Sequence, residues 1–148
     1  MRVFMKVSSE VSNERVVIPQ RKTEFSAGYD FTSPITVTIR PGSTQLIRTG
    51  IKAYMGDNEY LQLAIRSSLA AKKLACPYGV GIIDADYADN TDNEGNIGFL
   101  ITNFGREPYL IRCGDRIGQG IFLPYFLTDD DDEYEKATRT GPSGSTGR

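Results

Sequence analysis

Short strand patterns separated by turn residues dominate this chain and restrict it to an all-β fold. In Ile35-Thr36-Val37-Thr38-Ile39, apolar and polar residues alternate with a period of two, as in a strand with one buried face. Clusters of Gly, Pro, Asn and Asp separate such runs, and Arg40-Pro41-Gly42-Ser43 is a predicted turn. Strands are predicted at residues 3–7, 35–39, 44–49, 60–65, 97–102 and 117–123.

Helix-forming residues follow one another only over residues 68–74, and Pro77 would end such a helix within about two turns. Many short strands with almost no helix predict an all-β sandwich or distorted β-barrel of the jelly-roll type. At 148 residues the chain suffices for one domain with a substantial core. Because residues 129–133 are all acidic, we expect a barrel domain at residues 1–127 and a solvated linker with an arm at residues 128–148.

Charge and cysteine usage exclude several classes of protein. The 17 lysines and arginines against 19 aspartates and glutamates give a net charge of −2, so we expect no direct nucleic-acid binding. No apolar run approaches the roughly 18–20 residues of a membrane span. Cys76 and Cys113 are isolated, which is typical of reduced thiols, and we expect a cytoplasmic protein.

Histidine is absent from the sequence. This absence removes Ser-His-Asp triads, Cys-His dyads, histidine zinc sites and histidine general bases. Any acid–base chemistry must therefore come from carboxylates, lysine, tyrosine or cysteine.

The C-terminal residues 139–148 contain glycines, hydroxyl side chains and two arginines, and cannot form a packed core. Such a segment can enclose an anion, because glycines let backbone N–H groups approach phosphate oxygens while hydroxyls and arginine donate hydrogen bonds. The candidate donors here are Arg139, Gly144, Ser145 and Thr146. The alternative is an ordinary solvated C-terminus.

Two segments in the first half of the chain carry candidate chemistry. Ala27-Gly28-Tyr29-Asp30-Phe31 is a turn that enters a strand, although an aspartate in a turn commonly caps its own backbone. In Arg66-Ser67-Ser68, a predicted strand ends in an arginine and two hydroxyls where a short helix begins, which is a candidate phosphate site. An N-cap serine beside a surface arginine is the structural alternative.

Two further segments lie in the second half. The run from Gly79 to Ile83 ends in Asp84 and Asp86, whose alternate positions place both carboxylates on one side of an extended chain, and Tyr87 follows. Paired carboxylates can bind a metal, share a proton or hold a water for attack, or simply form an Asp-rich hairpin turn. Gly114-Asp115-Arg116-Ile117-Gly118-Gln119 combines a turn with polar ends beside a buried strand, which also suits a structural Asp115–Arg116 network.

Taken in order and spacing, these five segments resemble the trimeric dUTPase family, the deoxyuridine triphosphate nucleotidohydrolases. The family's motifs run roughly as AGxDL, RSGLA, GVIDxDY, GDRIAQ and RxxGFGSTG, and the chain matches them from about residue 27 to its end. The resemblance implies a jelly-roll-like barrel that hydrolyses dUTP to dUMP and pyrophosphate, which keeps uracil out of DNA and supplies dUMP for thymidylate synthesis. It also implies a homotrimer whose active sites each draw on three subunits.

The resemblance assigns a role to each motif residue. Asp84 would activate the water that attacks the α-phosphorus, and Tyr87 would leave no room for a ribose 2′-hydroxyl. Backbone groups of residues 79–83 would contact uracil, namely those of Gly79, Gly81, Ile82 and Ile83. The triphosphate would be bound by Arg66, Ser67, Ser68, Gln119, Arg139, Gly144, Ser145 and Thr146. Mg2+ would bridge the three phosphates, and Asp30 would reach it only through water.

Three departures from the family pattern bear on function. The usual Gly-Phe of the arm is Pro142-Ser143 here, and serine cannot stack on uracil as a lid. The polar loop at residues 88–96 is longer than the common form, and Tyr78 stands where many members carry a small or amide residue. Two alternatives therefore stay open: a dCTP deaminase-like relative, and a regulatory nucleotide-sensing trimer that engages a protein partner.

Overall fold

Antiparallel strands make up most of the regular structure in the computed structural model, which describes residues 1–139 and 141. The strands are β1 (Val3–Lys6), β2 (Tyr29–Thr32), β3 (Val37–Ile39), β4 (Thr44–Arg48), β5 (Ile51–Tyr54), β6 (Glu59–Ile65), β7 (Leu74–Ala75), β8 (Gly81–Asp84), β9 (Gly98–Asn103), β10 (Tyr109–Ile111) and β11 (Arg116–Pro124). A single-turn helix, α1, spans Ser67–Ala70, and 3-10 turns span Ser8–Glu10, Ala85–Tyr87 and Asp131–Glu133.

The strands form a jelly-roll-like arrangement around an apolar core. A four-stranded sheet has the order β2-β11-β6-β8 and a three-stranded sheet the order β4-β9-β7, while β1 pairs with β5 and β3 with β10. Each of these sheets contributes to one cluster of buried side chains, which includes Phe4, Phe31, Ile39, Ile47, Leu61, Ile101 and Ile117. The predicted all-β fold with one short helix is confirmed. Within residues 1–139 and 141, no helix is long and apolar enough to cross a membrane.

The predicted strands all exist, with ends that differ by one or two residues, but the predicted helix at residues 68–74 was wrong in extent. Helix α1 ends at Ala70, and Leu74 belongs to β7, where it pairs with Asn103. Lys73 adopts a left-handed φ of 64°, which turns the chain before Pro77 is reached. Full burial of Leu74 favours the strand over a longer helix.

Strand β11 positions the candidate site because it pairs with both β2 and β6. Gln119 lies opposite Asp30 on one side and Ala64 on the other. Its neighbour Gly118 must be glycine, since a Cβ atom there would lie 2.1 Å from Cε1 of Phe99. Through β11, the segments after residues 27 and 114 and the end of β6 meet on one sheet.

Candidate active site

The segment at Gly28 packs directly onto Gln119. A Cβ atom on Gly28 would lie 2.1 Å from Gln119 Oε1, so the absence of a side chain lets the glutamine amide occupy this position. The two residues come from segments that lie far apart in the sequence and adjacent in the sheet. A glycine in this place therefore fixes where the Gln119 amide points.

Asp30 pairs with Arg116, and the alternative of an Asp115–Arg116 network was wrong. Arg116 Nη1 lies 3.2 Å from Asp30 Oδ2, on the neighbouring strand. Asp115 instead accepts a hydrogen bond from the Arg112 backbone N–H at 2.8 Å and closes a turn. Arg116 was not predicted as a site residue, although its place in the Gly-Asp-Arg-Ile segment was a signal for it.

Arg66 and Ser68 open onto a cleft of about 370 Å³, which we call the arginine cleft. It is lined by Arg66, Ser68, Leu69, Tyr109, Ile111, Gly114, Asp115, Arg116 and Ile117. The N-cap residue of α1 is Arg66, and no side chain caps the helix, so the alternative of an N-cap serine was wrong. Ser67 and Ser68 are exposed while Leu69 is buried, which holds the turn on the core and leaves both hydroxyls free to contact a ligand.

Asp84 and Asp86 point to the same side, as predicted, although the chain between them is not extended. Asp84 ends β8, and Asp86 lies in the following 3-10 turn. Arg139 joins them, with Nη2 2.5 Å from Asp84 Oδ2 and Nε 2.7 Å from Asp86 Oδ1. The side chains of Asp84 and Asp86 remain 54% and 60% exposed, so a solvent water can reach either carboxylate.

A second cleft, the carboxylate cleft, surrounds this group with a volume of about 500 Å³. Its walls are Asp57, Asp84, Ala85, Asp86, Tyr125 and Arg139. Arg139 pairs with both carboxylates and offsets one of their two negative charges, which lowers the repulsion that an approaching anion meets here. Sequence reasoning missed Asp57 and Tyr125, which belong to no motif.

A third cleft of about 440 Å³ lies along β8, and we call it the β8 cleft. It is lined by Leu46, Arg48, Leu63, Tyr78, Val80, Gly81, Ile82, Ile83, Tyr87 and Gly98. This volume and mainly apolar lining suit a small ligand with a planar ring. Strand β8 lies at the edge of its sheet, so one row of its backbone N–H and C=O groups is not used by a neighbouring strand of that sheet.

Two tyrosines stand in the wall of the β8 cleft. Tyr87 is buried, with the Arg139 guanidinium 5.9 Å from its ring centroid. Tyr78 is 60% exposed, and partial desolvation raises the pKa of its phenol, with the neighbouring Cys76 adding to the shift. Tyr78 therefore stays neutral at physiological pH. Gly79, between Tyr78 and β8, has a φ of 86° that suits glycine.

The arginine cleft and Asp84 lie at opposite ends of β6. Ile65 pairs with Gly118 at one end, and Tyr60 pairs with Asp84 at the other. Ile65 lies five positions after Tyr60 along the strand, which is about 17 Å at roughly 3.3 Å per residue. Within one chain, Arg66, Ser67, Ser68 and Gln119 are therefore not brought together with the predicted water-activating carboxylate, whereas Arg139 contacts it directly.

The end of the C-terminal arm and the metal complete the predicted site. Gly144, Ser145 and Thr146, with Ser143, lie outside the described residues. Over residues 1–139 and 141, the acidic and cysteine side chains form no group of three or more that could hold a metal ion. Asp30 is engaged by Arg116, which fits a contact to a metal through water better than direct ligation.

Comparison with known proteins identifies the family. The dUTPase family model matches residues 14–147. A deoxyuridine 5′-triphosphate nucleotidohydrolase of Lactococcus lactis is 45% identical over 143 residues, which cover 96% of this chain and 95% of that protein. A crystal structure of dUTPase from Streptococcus mutans, 36% identical, has a TM-score of 0.80 and covers 86% of this chain and 98% of its own.

A dUTPase from phage phi11 of S. aureus, whose structure shows the coordination of a structural Mg(II) ion, has a TM-score of 0.72. It is 23% identical over 87% of this chain and 94% of its own, a likeness that shows the fold alone. The family model and the Lactococcus relative span nearly the whole sequence. The chain therefore belongs to the dUTPase family.

Proposed function

We propose that this chain is a dUTP diphosphatase that hydrolyses dUTP to dUMP and pyrophosphate. Family membership supports this substrate and reaction. The observation that carries the mechanism is the exposed Asp84 carboxylate, which ends β8 beside the β8 cleft. With no histidine in the chain, Asp84 holds and activates the water that attacks the α-phosphorus. Because aspartate is a weak base near neutral pH, positioning of the water contributes more than basicity.

The β8 cleft is the proposed nucleoside site. The free backbone edge of β8 supports hydrogen bonding to uracil by Gly81, Ile82 and Ile83, as an added strand would bond to it. Gly79, the fourth proposed contact, lies in the turn before the strand. Recognition by buried backbone donors and acceptors discriminates between bases better than apolar contact alone. Tyr87 lies against the deoxyribose and excludes a 2′-hydroxyl.

The proposed triphosphate ligands come from the arginine cleft and from the C-terminal arm at residues 128–148. Arg66, Ser67, Ser68 and Gln119 donate to the phosphate chain, and the resemblance places Arg139, Gly144, Ser145 and Thr146 over its outer end. Arginine and backbone donors stabilise the charge that develops on phosphoryl oxygens in the transition state. Arg139 already lies in the carboxylate cleft, beside the proposed site of water attack.

Mg2+ is the proposed cofactor, and the donor set suits an ion that enters with the substrate. Asp30 would contact its hydration shell, since Arg116 holds the carboxylate and the described part of the chain has no group of three or more acidic or cysteine side chains that could hold a metal ion. Magnesium keeps waters and prefers substrate phosphates over all-protein cages. When bound, the ion neutralises charge on the phosphate oxygens.

We further propose a homotrimer in which active sites are shared between subunits. The support is the separation of about 17 Å along β6 between the arginine cleft and Asp84, which a second subunit can bridge by presenting its own β8. The arm from a third subunit completes the site.

Free cysteines at positions 76 and 113 support a cytoplasmic location for the assembly.

The test is pyrophosphate release from dUTP with Mg2+ by the wild type and by Asp84→Asn, with Asp92→Asn as a matched control. Asp92 is an exposed carboxylate of the nearby loop. We expect Asp84→Asn to bind dUTP and keep its oligomeric state but lose nearly all turnover, whereas Asp92→Asn keeps it. Turnover close to wild type in folded Asp84→Asn protein would remove this residue from the mechanism.

Mixing two inactive variants tests the shared site. Arg66→Ala and Asp84→Asn subunits that exchange into mixed trimers should regain about a quarter of the wild-type activity, because some interfaces then carry both intact residues. No recovery after confirmed subunit exchange would show that each site lies within one chain.

Product from dCTP instead of dUTP would favour the deaminase-like alternative, and binding without turnover would favour the regulatory trimer.

A further inference from the structure

The loop at residues 88–96 is built around the hydroxyl of Tyr87. Asn93 Nδ2 donates to this hydroxyl at 2.9 Å, and the Asn96 carbonyl oxygen lies 3.5 Å from it. Asn90 Nδ2 donates to the Tyr87 carbonyl oxygen at 2.8 Å. The loop therefore holds both ends of the tyrosine, its backbone and its hydroxyl, while the ring lines the β8 cleft.

The Asn93 amide is fixed by its own contacts. Its Oδ1 accepts from Asn90 Nδ2 at 2.7 Å and from the Gly95 backbone N–H at 3.0 Å, which orients Nδ2 toward Tyr87. Glu94 and Gly95 both adopt left-handed φ values, of 59° and 80°. A Cβ atom on Gly95 would lie 2.7 Å from Ala88 Cα, so the loop closes tightly on itself.

Two ion pairs tie this loop to the body of the protein. Lys52, largely buried on β5, lies 2.5 Å from Asp89 Oδ1 and 2.8 Å from Glu94 Oε1. The Tyr54 hydroxyl donates to Asp89 at 2.5 Å, and the Ser8 hydroxyl donates to Glu94 at 2.6 Å. An extended polar loop is thereby held as a rigid support on both sides of Asn93.

We propose that Asn93 is a positioning residue for sugar selection: by fixing the Tyr87 hydroxyl, it sets how closely the ring approaches the nucleotide sugar and so excludes ribonucleotides. This inference rests on the proposed nucleoside site. If the Tyr87 ring were free to tilt, it would make room for a ribose 2′-hydroxyl. A ring whose own hydroxyl is held in place by Asn93 cannot move aside in this way. This role would also explain why the loop at residues 88–96 is long, since it must reach both the backbone and the hydroxyl of Tyr87.

The experiment measures binding of the α,β-imido analogues of dUTP and UTP by calorimetry, together with kcat/KM for dUTP and UTP. We expect Asn93→Ala to lower the preference for the deoxy form by about 2- to 10-fold, the size of one net hydrogen bond. Asn93→Asp should retain the preference, because its carboxylate can accept from the Tyr87 hydroxyl. Asp92→Ala, an exposed change in the same loop, is the control.

A double-mutant cycle with Tyr87→Phe shows whether Asn93 acts through the hydroxyl. In the Tyr87→Phe background, Asn93→Ala should change the sugar preference no further. An equal further loss there would overturn the proposal, as would an Asn93→Ala protein with a lower melting temperature and an unchanged preference.

The binding measurements separate this inference from the proposed function. A wild-type protein that hydrolyses no dUTP but binds the deoxy analogue preferentially would end the hydrolase proposal and leave the role of Asn93 open to the same test. A wild-type protein with no preference between the two analogues would overturn the inference itself.

Discussion

Replacing Gly28 by alanine should strongly reduce activity without unfolding the protein. The new Cβ atom would lie 2.1 Å from Gln119 Oε1 and 3.0 Å from Gln119 Cδ, while real Cβ contacts essentially never fall under 3.0 Å. The Gln119 amide must therefore move by about 1 Å or more. The two nearest atoms are at the end of a flexible side chain, and only Gln119 Cβ, at 3.1 Å, is tied to the backbone, so the stability cost should lie near about 1 kcal/mol, the low end for overpacking.

The expected loss of activity follows from the displacement of Gln119. A hydrogen bond to a charged group contributes about 1.5–3 kcal/mol, which corresponds to roughly a 10- to 100-fold fall in kcat/KM. A misplacement of about 1 Å in an active site gives a loss of similar size. We therefore expect kcat/KM for dUTP to fall by about 10- to 100-fold, with the melting temperature within about 3 °C of wild type.

Gly118→Ala is the matched control on the same strand. Its Cβ atom would meet the Phe99 ring at 2.1 Å and the Ala64 carbonyl oxygen at 2.8 Å, and neither can move aside easily. This variant should lose at least about 1–3 kcal/mol, several degrees of melting temperature. Equal destabilisation of both variants, or full activity in folded Gly28→Ala protein, would refute the reasoning. Gly28→Ala should also add nothing to Gln119→Ala.

Three further outcomes are expected. The Lys52 and Ser8 contacts lower the pKa of Glu94 from 4.5 to about 2. The ionised Glu94 carboxylate therefore stabilises the folded protein fully above pH 4.5, and this contribution is lost as the pH falls toward 2. The difference in melting temperature between wild type and Glu94→Gln should shrink over that pH range. Deleting residues 139–148 should leave folding and oligomeric state intact and strongly reduce turnover, since this sequence carries hydrogen-bond donors and no large apolar side chain. An unfolded truncation, or one with full turnover, would contradict this. Ser143→Phe should tighten binding of a dUTP analogue by up to about 10- to 100-fold through stacking, whereas unchanged affinity would point to Tyr78 as the aromatic cover.

The fold was predictable where a strand carries its own periodic pattern. Residues 35–39 and 60–65 alternate or are rich in β-branched and aromatic residues, and β3 and β6 formed there. Strands β7 and β10 are too short to show a period and depend on their partners β9 and β3. The early end of α1 depends on the left-handed turn at Lys73, which no local propensity indicates.

The site was predictable as a set of motifs but not as a geometry. Sequence placed Asp84 and Asp86 two residues apart, yet the 3-10 turn and the contact with Arg139 are tertiary. Asn93 was hidden in a polar loop, because an amide that holds a buried hydroxyl looks in sequence like any solvated asparagine. Contacts across long sequence distances decide these roles, and a single sequence does not reveal them.

The position of Arg139 connects the negative charge of Asp84 and Asp86 with the proposed association of subunits. In one chain, its guanidinium pairs with both Asp84 and Asp86 and offsets one of their two negative charges, and the arginine cleft lies about 17 Å away along β6. A triphosphate that enters a shared site brings negative charge beside these carboxylates, so cations must be present before catalysis can proceed. Arg139 supplies one beside Asp84 of its own chain, and in the proposed trimer Arg66 of a neighbouring subunit would supply another after association. We therefore expect a site divided in this way to act only when assembled.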